Sequence, residues 1–246
     1  MSSREQLAGS QEVIISASGA LRAGAIPDTL AFPSQTRRRQ PANVNTRPDR
    51  IEPLLKRGVD VVVSGVALLL ALPVMALISL LIWLDSPGPV FFRQTRLGRD
   101  GRPFDILKFR TMNVMENGDT VVQACENDSR ITRVGAWLRL SSLDELPQLL
   151  NVLSGEMSLV GPRPHACAHD AYYGARIPEY GIRQSVKPGI TGWAQIHGLR
   201  GETRTVEDMR QRVAFDIWYA KNATLALDLV VLLRTPLEVF RSRNAR

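Results

Sequence analysis

Cysteine is nearly absent from this chain. Cys125 and Cys167 are its two copies, and they form no pairing pattern. A disulfide framework is thereby excluded, and a reducing compartment is the default. Histidine is almost as scarce, with three residues. His165 and His197 stand alone without metal-ligand spacing, which leaves no zinc site to assign. Aromatic residues make up 6% of the chain. They do not interleave with basic residues, and no nucleic-acid motif is present, so nucleic acid is not expected as a partner. Acidic residues are outnumbered, 24 against 31 Lys and Arg, for a net charge of +7. That excess favours anionic lipid and phosphorylated small molecules. There is no internal repeat.

One more absence sets the architecture: between Val61 and Leu84 no residue carries a charge. The run is about 24 residues long, and a helix needs about 20 to cross a bilayer core of roughly 30 Å. A buried core helix of this length does not suit a protein of 246 residues, so the segment is read as membrane-embedded. It begins too far into the chain, and is too long, for a secretory signal peptide. Pro73 lies at its midpoint, after Leu72, where the lost N–H and the ring kink or break a helix. Basic residues flank both ends, with Arg37, Arg38, Arg39, Lys56 and Arg57 before the run, and Arg93, Arg96, Arg99, Arg102, Lys108 and Arg110 after it. A spanning helix tolerates such a Pro, but the positive-inside tendency is met on both sides when the segment enters the membrane, turns at Pro73 and returns to the cytoplasmic face, and that re-entrant reading is preferred over a span. Residues 1–52 lack periodicity and are rich in Ser, Ala, Gly, Gln, Pro and Arg, which reads as a basic disordered tail.

Downstream, Ser86-Pro87-Gly88-Pro89 is a turn cluster. Val90–Gln94 and Phe104–Arg110 read as the two strands of a hairpin closed through Leu97–Arg102. Lys108 and Arg110, two apart, share a strand face and suggest a phosphate site. The stretch Ser142-Leu143-Asp144-Glu145-Leu146-Pro147 admits two readings. Ser142 and Glu145 match a capping box, with Leu146, Leu149, Leu150 and Leu153 as the buried stripe of the helix that follows. In that register Pro147 falls too deep in the helix. A start at Leu143 or Asp144 brings Pro147 into the first turn and favours an ionised Asp144 at the helix N-terminus. Arg163, framed by Pro162 and Pro164, suits bidentate phosphate binding.

Four blocks carry a resemblance beyond these local readings. They are Ser86 through Met112, Ser142 through Leu149, Met157-Ser-Leu-Val-Gly-Pro-Arg-Pro164, and Lys187-Pro-Gly-Ile-Thr-Gly-Trp-Ala-Gln195. The end agrees as well, with Arg212-Val-Ala-Phe-Asp-Ile-Trp-Tyr219 and Asp228. In this order, over about residues 53–240, the chain resembles the bacterial sugar transferases that act on polyprenol phosphate, the monotopic phosphoglycosyl transferases. The resemblance implies transfer of a sugar-1-phosphate, here a hexose-1-phosphate, from a UDP-sugar to undecaprenyl phosphate with release of UMP. It implies Asp144 and Glu145 as the catalytic dyad, Asp144 as nucleophile and metal ligand, and Mg²⁺ as cofactor. The corresponding apolar segment is a re-entrant helix broken at Pro73. Small family members often place Ser before that Pro, where this chain has Leu72.

The chemistry of the residues agrees with that reading. Phosphoryl transfer needs a neutralised diphosphate and a positioned nucleophile, and Lys108, Arg110, Arg133, Arg139 and Arg163 are the substrate-binding candidates. The resemblance adds Pro188 at the rim of the site. Val206–Lys221 reads as an amphipathic helix, and Leu225–Phe240 as an apolar helix interrupted by Asp228, Arg234 and Glu238 and broken at Pro236, that lies in the headgroup region. The expected fold class is therefore α/β and membrane-associated, mainly helical with a short β-hairpin. It comprises a tail (1–52), a re-entrant helix-break-helix (53–85) and a catalytic domain with interfacial helices (86–246). The expected location is the cytoplasmic face of the bacterial inner membrane, among membrane lipids, with a homo-oligomer left open. The competing reading is a non-enzymatic membrane anchor or regulator of polysaccharide assembly.

Overall fold

A computed structural model describes residues 51–113, 128–201, 203 and 205–243. The basic tail and Cys125 lie outside the described residues. The fold is mainly helical. Helix α1 (Ile51–Asp85) is followed by the antiparallel hairpin β1 (Phe91–Leu97) and β2 (Pro103–Phe109), paired from Phe91 with Phe109 to Leu97 with Pro103. Then come α2 (Arg133–Ser141), α3 (Gln148–Ser154), β3 (Ser158–Val160), α4 (Cys167–Gly174), β4 (Gly189–Thr191), α5 (Val206–Asn222) and α6 (Leu225–Arg243).

α1 is helical throughout, including at Pro73. Its two ends are fastened to the same body of structure. At the start, Arg57 donates to the carbonyls of Val152 (2.6 Å) and Leu153 (2.8 Å), satisfying the C-terminus of α3. Lys56 is ion-paired with Asp228 of α6. Asp60 is buried and accepts from Ser158 Oγ (3.1 Å) and the Leu159 N–H (3.0 Å). At the far end, Asp85 accepts from the Val134 N–H (3.2 Å) at the start of α2, the position where a carboxylate is favoured by the helix dipole. Between these anchors Met75, Ile78 and Ile82 pack with Phe109 and Leu138. The opposite face of α1 exposes a long apolar surface that includes Val62, Val66, Leu69, Leu70, Leu77 and Trp83.

The second core joins Phe104 and Ile106 of the hairpin to Leu149, Val152, Met157, Leu159, Val160, Tyr219 and Val231. Leu149 and Val152 are the buried apolar residues of α3, beside buried Gln148 and Asn151, whereas Leu150 is 39% exposed, so the expected leucine stripe is rotated. The Lys187–Gly192 region contains β4, which pairs in parallel with β3. Gly161 and Gly189 make this possible, because each backbone lies where a Cβ on the other would sit. α5 begins in a capping box formed by Thr205 and Asp208. α6 runs unbroken through Pro236, where a break was expected.

Candidate active site

The dyad lies in a short helical turn, Leu143–Glu145, between α2 and α3. Ser142 is not the expected cap. Its backbone is left-handed (φ 60) and its side chain makes no capping bond; its hydroxyl instead accepts from Arg200 at 2.9 Å. Left-handed backbone is uncommon outside Gly and Asn, and here it ends α2 and turns the chain sharply into the dyad. α3 starts after Pro147, whose missing N–H costs nothing at that position. Asp144 and Glu145 thus precede the regular helix rather than sitting inside it.

The two carboxylates have different surroundings. Glu145, its side chain 9% exposed, is surrounded by cations. Lys108 Nζ lies 3.0 Å from one oxygen, and Arg163 forms a two-pronged pair with both oxygens, through Nη1 at 3.1 Å and Nη2 at 2.5 Å. Arg200 stands 3.9 Å away. Burial pushes the Glu145 carboxyl up, but Arg163, Lys108 and Arg200 outweigh it and hold the group well below the usual carboxylate range. Among the described residues Asp144 has one cation at ion-pair range, Lys108 at 4.0 Å. Burial first, and the neighbouring Glu145 charge after it, push the Asp144 carboxyl up, against the pull of Lys108, Arg163 and Arg139. The helix-terminus expectation of a carboxyl stabilised in its ionised form is therefore reversed for Asp144. It is the less compensated and more basic of the pair, and Glu145 is the clamp.

Of the expected substrate-binding cations, Lys108, Arg139 and Arg163 are brought together. Arg139, in the last turn of α2, acts electrostatically on Asp144 and buries a guanidinium nitrogen that has no hydrogen-bond partner among the described residues. Arg110 is held elsewhere: it is buried, donating to the carbonyls of Pro87 (2.7 Å) and Ser86 (2.6 Å) beyond the end of α1. Strand β2 ends at Phe109, so the expected pairing with Lys108 is lost just where the chain leaves the sheet. Arg133 is exposed at the start of α2. Pro188 serves the β3–β4 pairing through its carbonyl, which accepts from the Ser158 N–H at 2.9 Å.

Arg200 was not among the expected residues. It lies in an irregular segment far from the dyad in sequence, and no local pattern marks it. A second unanticipated element secures Arg163 from behind. Arg183 donates to the Arg163 carbonyl and is ion-paired with Asp216 of α5 at 2.9 Å, with both side chains 3% exposed. Beside the dyad is a cavity of about 280 Å³. Ala67, Leu146, Leu149, Ile190 and Ile196 give it apolar walls, and Ser142, Glu145, Thr191, Gln195, Arg200, Thr235 and Glu238 line it as well.

No group of three or more His, Cys, Asp or Glu side chains gathers among the described residues. The donor set around Asp144 suits a hard cation bound through one carboxylate and substrate phosphate oxygens, the usual habit of Mg²⁺, rather than an all-protein cage.

A long apolar helix tied to a small cationic site, with one clamped and one basic carboxylate, defines a membrane-associated site built for phosphate chemistry. The chain matches the bacterial sugar transferase family over residues 51–242, and it belongs to that family. It is 56% identical to the UDP-glucose:undecaprenyl-phosphate glucose-1-phosphate transferase of Caulobacter vibrioides over 192 residues, 78% of this chain and 72% of that one. Against the protein of the same description from Escherichia coli it is 53% identical, again over 78% of this chain but 41% of the relative. The chain thus spans less than half the length of that second relative. An exopolysaccharide production protein of Rhizobium leguminosarum bv. phaseoli is 45% identical over 74% of this chain and 93% of its own length.

Proposed function

We propose that this protein transfers glucose-1-phosphate from UDP-glucose to undecaprenyl phosphate, releasing UMP, at the first step of exopolysaccharide synthesis. The division of roles within the dyad carries the reading. Glu145 has its oxygens engaged by Lys108, Arg163 and Arg200, and so organises charge. Asp144 keeps a basic carboxylate. Asp144 Oδ attacks the β-phosphorus of the donor, the bond from that phosphorus to the bridging oxygen breaks, and UMP leaves with that oxygen. A sugar-phosphate ester on Asp144 results. An oxygen of undecaprenyl phosphate then attacks the same phosphorus, the Asp144 ester bond breaks, and the carboxylate is regenerated. A carboxylate nucleophile divides one difficult displacement into two easier ones. Lys108, Arg139 and Arg163 supply fixed positive charge where the diphosphate develops negative charge. Mg²⁺ held by Asp144 and the diphosphate adds further charge neutralisation when bound. The names of the relatives support glucose as the sugar.

The protein sits in the cytoplasmic leaflet of the inner membrane, with α1 re-entrant. From Asp60 to Asp85 a straight helix rises about 38 Å, more than the roughly 30 Å hydrocarbon core. Yet both residues bond to the same catalytic body. A spanning α1 would drag that body, with its ion pairs, into the bilayer, whereas an α1 bent at Pro73 leaves both ends at one surface. The exposed leucines of α6, Leu229, Leu233 and Leu237, continue the apolar surface, as an interfacial helix does.

The test is UMP release from UDP-glucose by the full chain in lipid nanodiscs. Release should require undecaprenyl phosphate for sustained turnover and Mg²⁺, and Asp144→Ala should abolish it. Full activity in that variant would remove Asp144 from the chemistry. No turnover with any UDP-sugar by the unaltered chain would favour the anchoring role instead.

A further inference from the structure

We propose that the cavity beside the dyad holds the first isoprene units of the lipid acceptor, the part of the chain adjoining its phosphate, and that Ala67 and Ile196 shape this subsite. The inference rests on the transferase reading above and assigns a place to its second substrate.

At about 280 Å³ the cavity falls just below the range of about 300–1,000 Å³ that encloses a whole small ligand, which gives room for a short hydrocarbon segment. Most of the surface the cavity exposes is apolar, from Ala67, Leu146, Leu149, Ile190 and Ile196, with a minority of polar groups from residues such as Thr191, Gln195 and Glu238, so a ribose, hexose or uracil would press much of its polar edge against hydrocarbon. Burying unpartnered polar groups is costly, whereas an isoprenoid brings none.

α1 and α6 both wall the cavity with their inner faces, through Ala67 on α1 and Thr235 and Glu238 on α6. Their outer faces carry exposed apolar residues. Leu70 of α1 is 72% exposed and Leu233 of α6 is 77% exposed, a surface that matches lipid. The cavity is therefore walled by the same two helices that face the lipid. Glu145 and Arg200 line it as well, and Asp144 is the residue next to Glu145, so a prenyl chain seated there brings its phosphate to the dyad. That is where the acceptor oxygen must approach the sugar-phosphate ester.

The experiment separates the two half-reactions in nanodiscs. Exchange of labelled UMP into UDP-glucose without acceptor reports donor chemistry. Initial rates against undecaprenyl phosphate, and against farnesyl phosphate as a short-chain probe, report the acceptor site. Ala67→Phe and Ile196→Phe should raise KM for both acceptors by about tenfold or more, the scale set by one or two methylenes in an apolar pocket. Exchange and the KM for UDP-glucose should stay within about twofold, a shift of no more than about 0.4 kcal/mol. An unchanged acceptor KM, or a UDP-glucose KM that rises equally, overturns the proposal. If the filling variants also lose exchange, Ile196→Ala decides by enlarging the cavity: the acceptor KM should rise with exchange intact, and an unchanged KM overturns the proposal. Acceptor-dependent turnover without any exchange in the unaltered chain would remove the covalent step of the parent reading, while the acceptor KM comparison still judges the subsite.

Discussion

Glu145→Gln and Asp144→Asn are nearly isosteric changes at adjacent positions, and they should behave oppositely. Glu145 is the anion that neutralises Lys108, Arg163 and Arg200 in a buried site. Removing its charge leaves those largely buried cations facing one another. Breaking a buried pair from one side costs about 3–5 kcal/mol. For a chain of this size each kcal/mol moves the melting temperature by about 2–4 °C, so Glu145→Gln should melt roughly 6–20 °C lower. Asp144 is different, because burial and the Glu145 charge hold its carboxyl above its ordinary value of 3.8. A raised folded-state pKa means that, at pH 7, ionised Asp144 works against folding. Asp144→Asn removes that charge and should be neutral to slightly stabilising, yet inactive. The assay is thermal unfolding of both variants in one detergent at pH 7, beside UMP release. A melting temperature for Glu145→Gln equal to that of the unaltered chain refutes the clamp. Equal losses in the two variants would show that the carboxylates do not divide the work.

Further outcomes follow from the same geometry. Attack needs ionised Asp144, so donor exchange should fall as pH falls through its raised pKa, with the acid limb above 3.8; the residual exchange of Glu145→Gln should carry its limb to lower pH, because the like charge is gone. Glu145 has the opposite linkage. Its depressed pKa contributes stability above its ordinary 4.5, lost only as pH falls through the lower folded value, which a melting series from pH 7 to pH 3 should trace. Arg183→Lys keeps a charge but loses the planar fork that joins Asp216 to the Arg163 carbonyl; kcat should drop more than the UDP-glucose KM changes, and a purely structural role would lower only the melting temperature. Cysteines placed at Pro53 and Gly88, with Cys125 and Cys167 replaced by Ser, should both resist an impermeant maleimide in intact cells and both react after permeabilisation. Labelling of Gly88→Cys from outside would place α1 across the membrane.

Much of the site could be read from sequence because its parts are local. The hairpin follows from alternation and turn residues, and the order of α2, the dyad and the Pro-framed Arg163 is contiguous. Where two readings competed, backbone detail decided. Ser142-x-x-Glu145 and Thr205-x-x-Asp208 are near-equal capping signatures, yet only the second caps a helix. Pro147 delays the start of α3, and Arg200 takes the Ser142 hydroxyl. Arg200 and the Lys56–Asp228 pair were invisible for another reason. They join residues far apart in the chain, 172 positions for the latter, and no periodicity records such a meeting. Arg110 looked equivalent to Lys108 by spacing alone, but the end of the strand sends its side chain to Ser86 and Pro87.

If Asp144 itself carries the sugar phosphate, mixing the full chain with UDP-glucose and Mg²⁺ in nanodiscs without acceptor, then quenching and weighing the intact protein and its peptides, should capture it. The expected result is a burst of UMP no larger than one per protein, with a hexose-phosphate mass gained on the peptide containing Asp144 and lost when undecaprenyl phosphate is added. UMP release that waits for the acceptor, with no mass gained at Asp144, would contradict it.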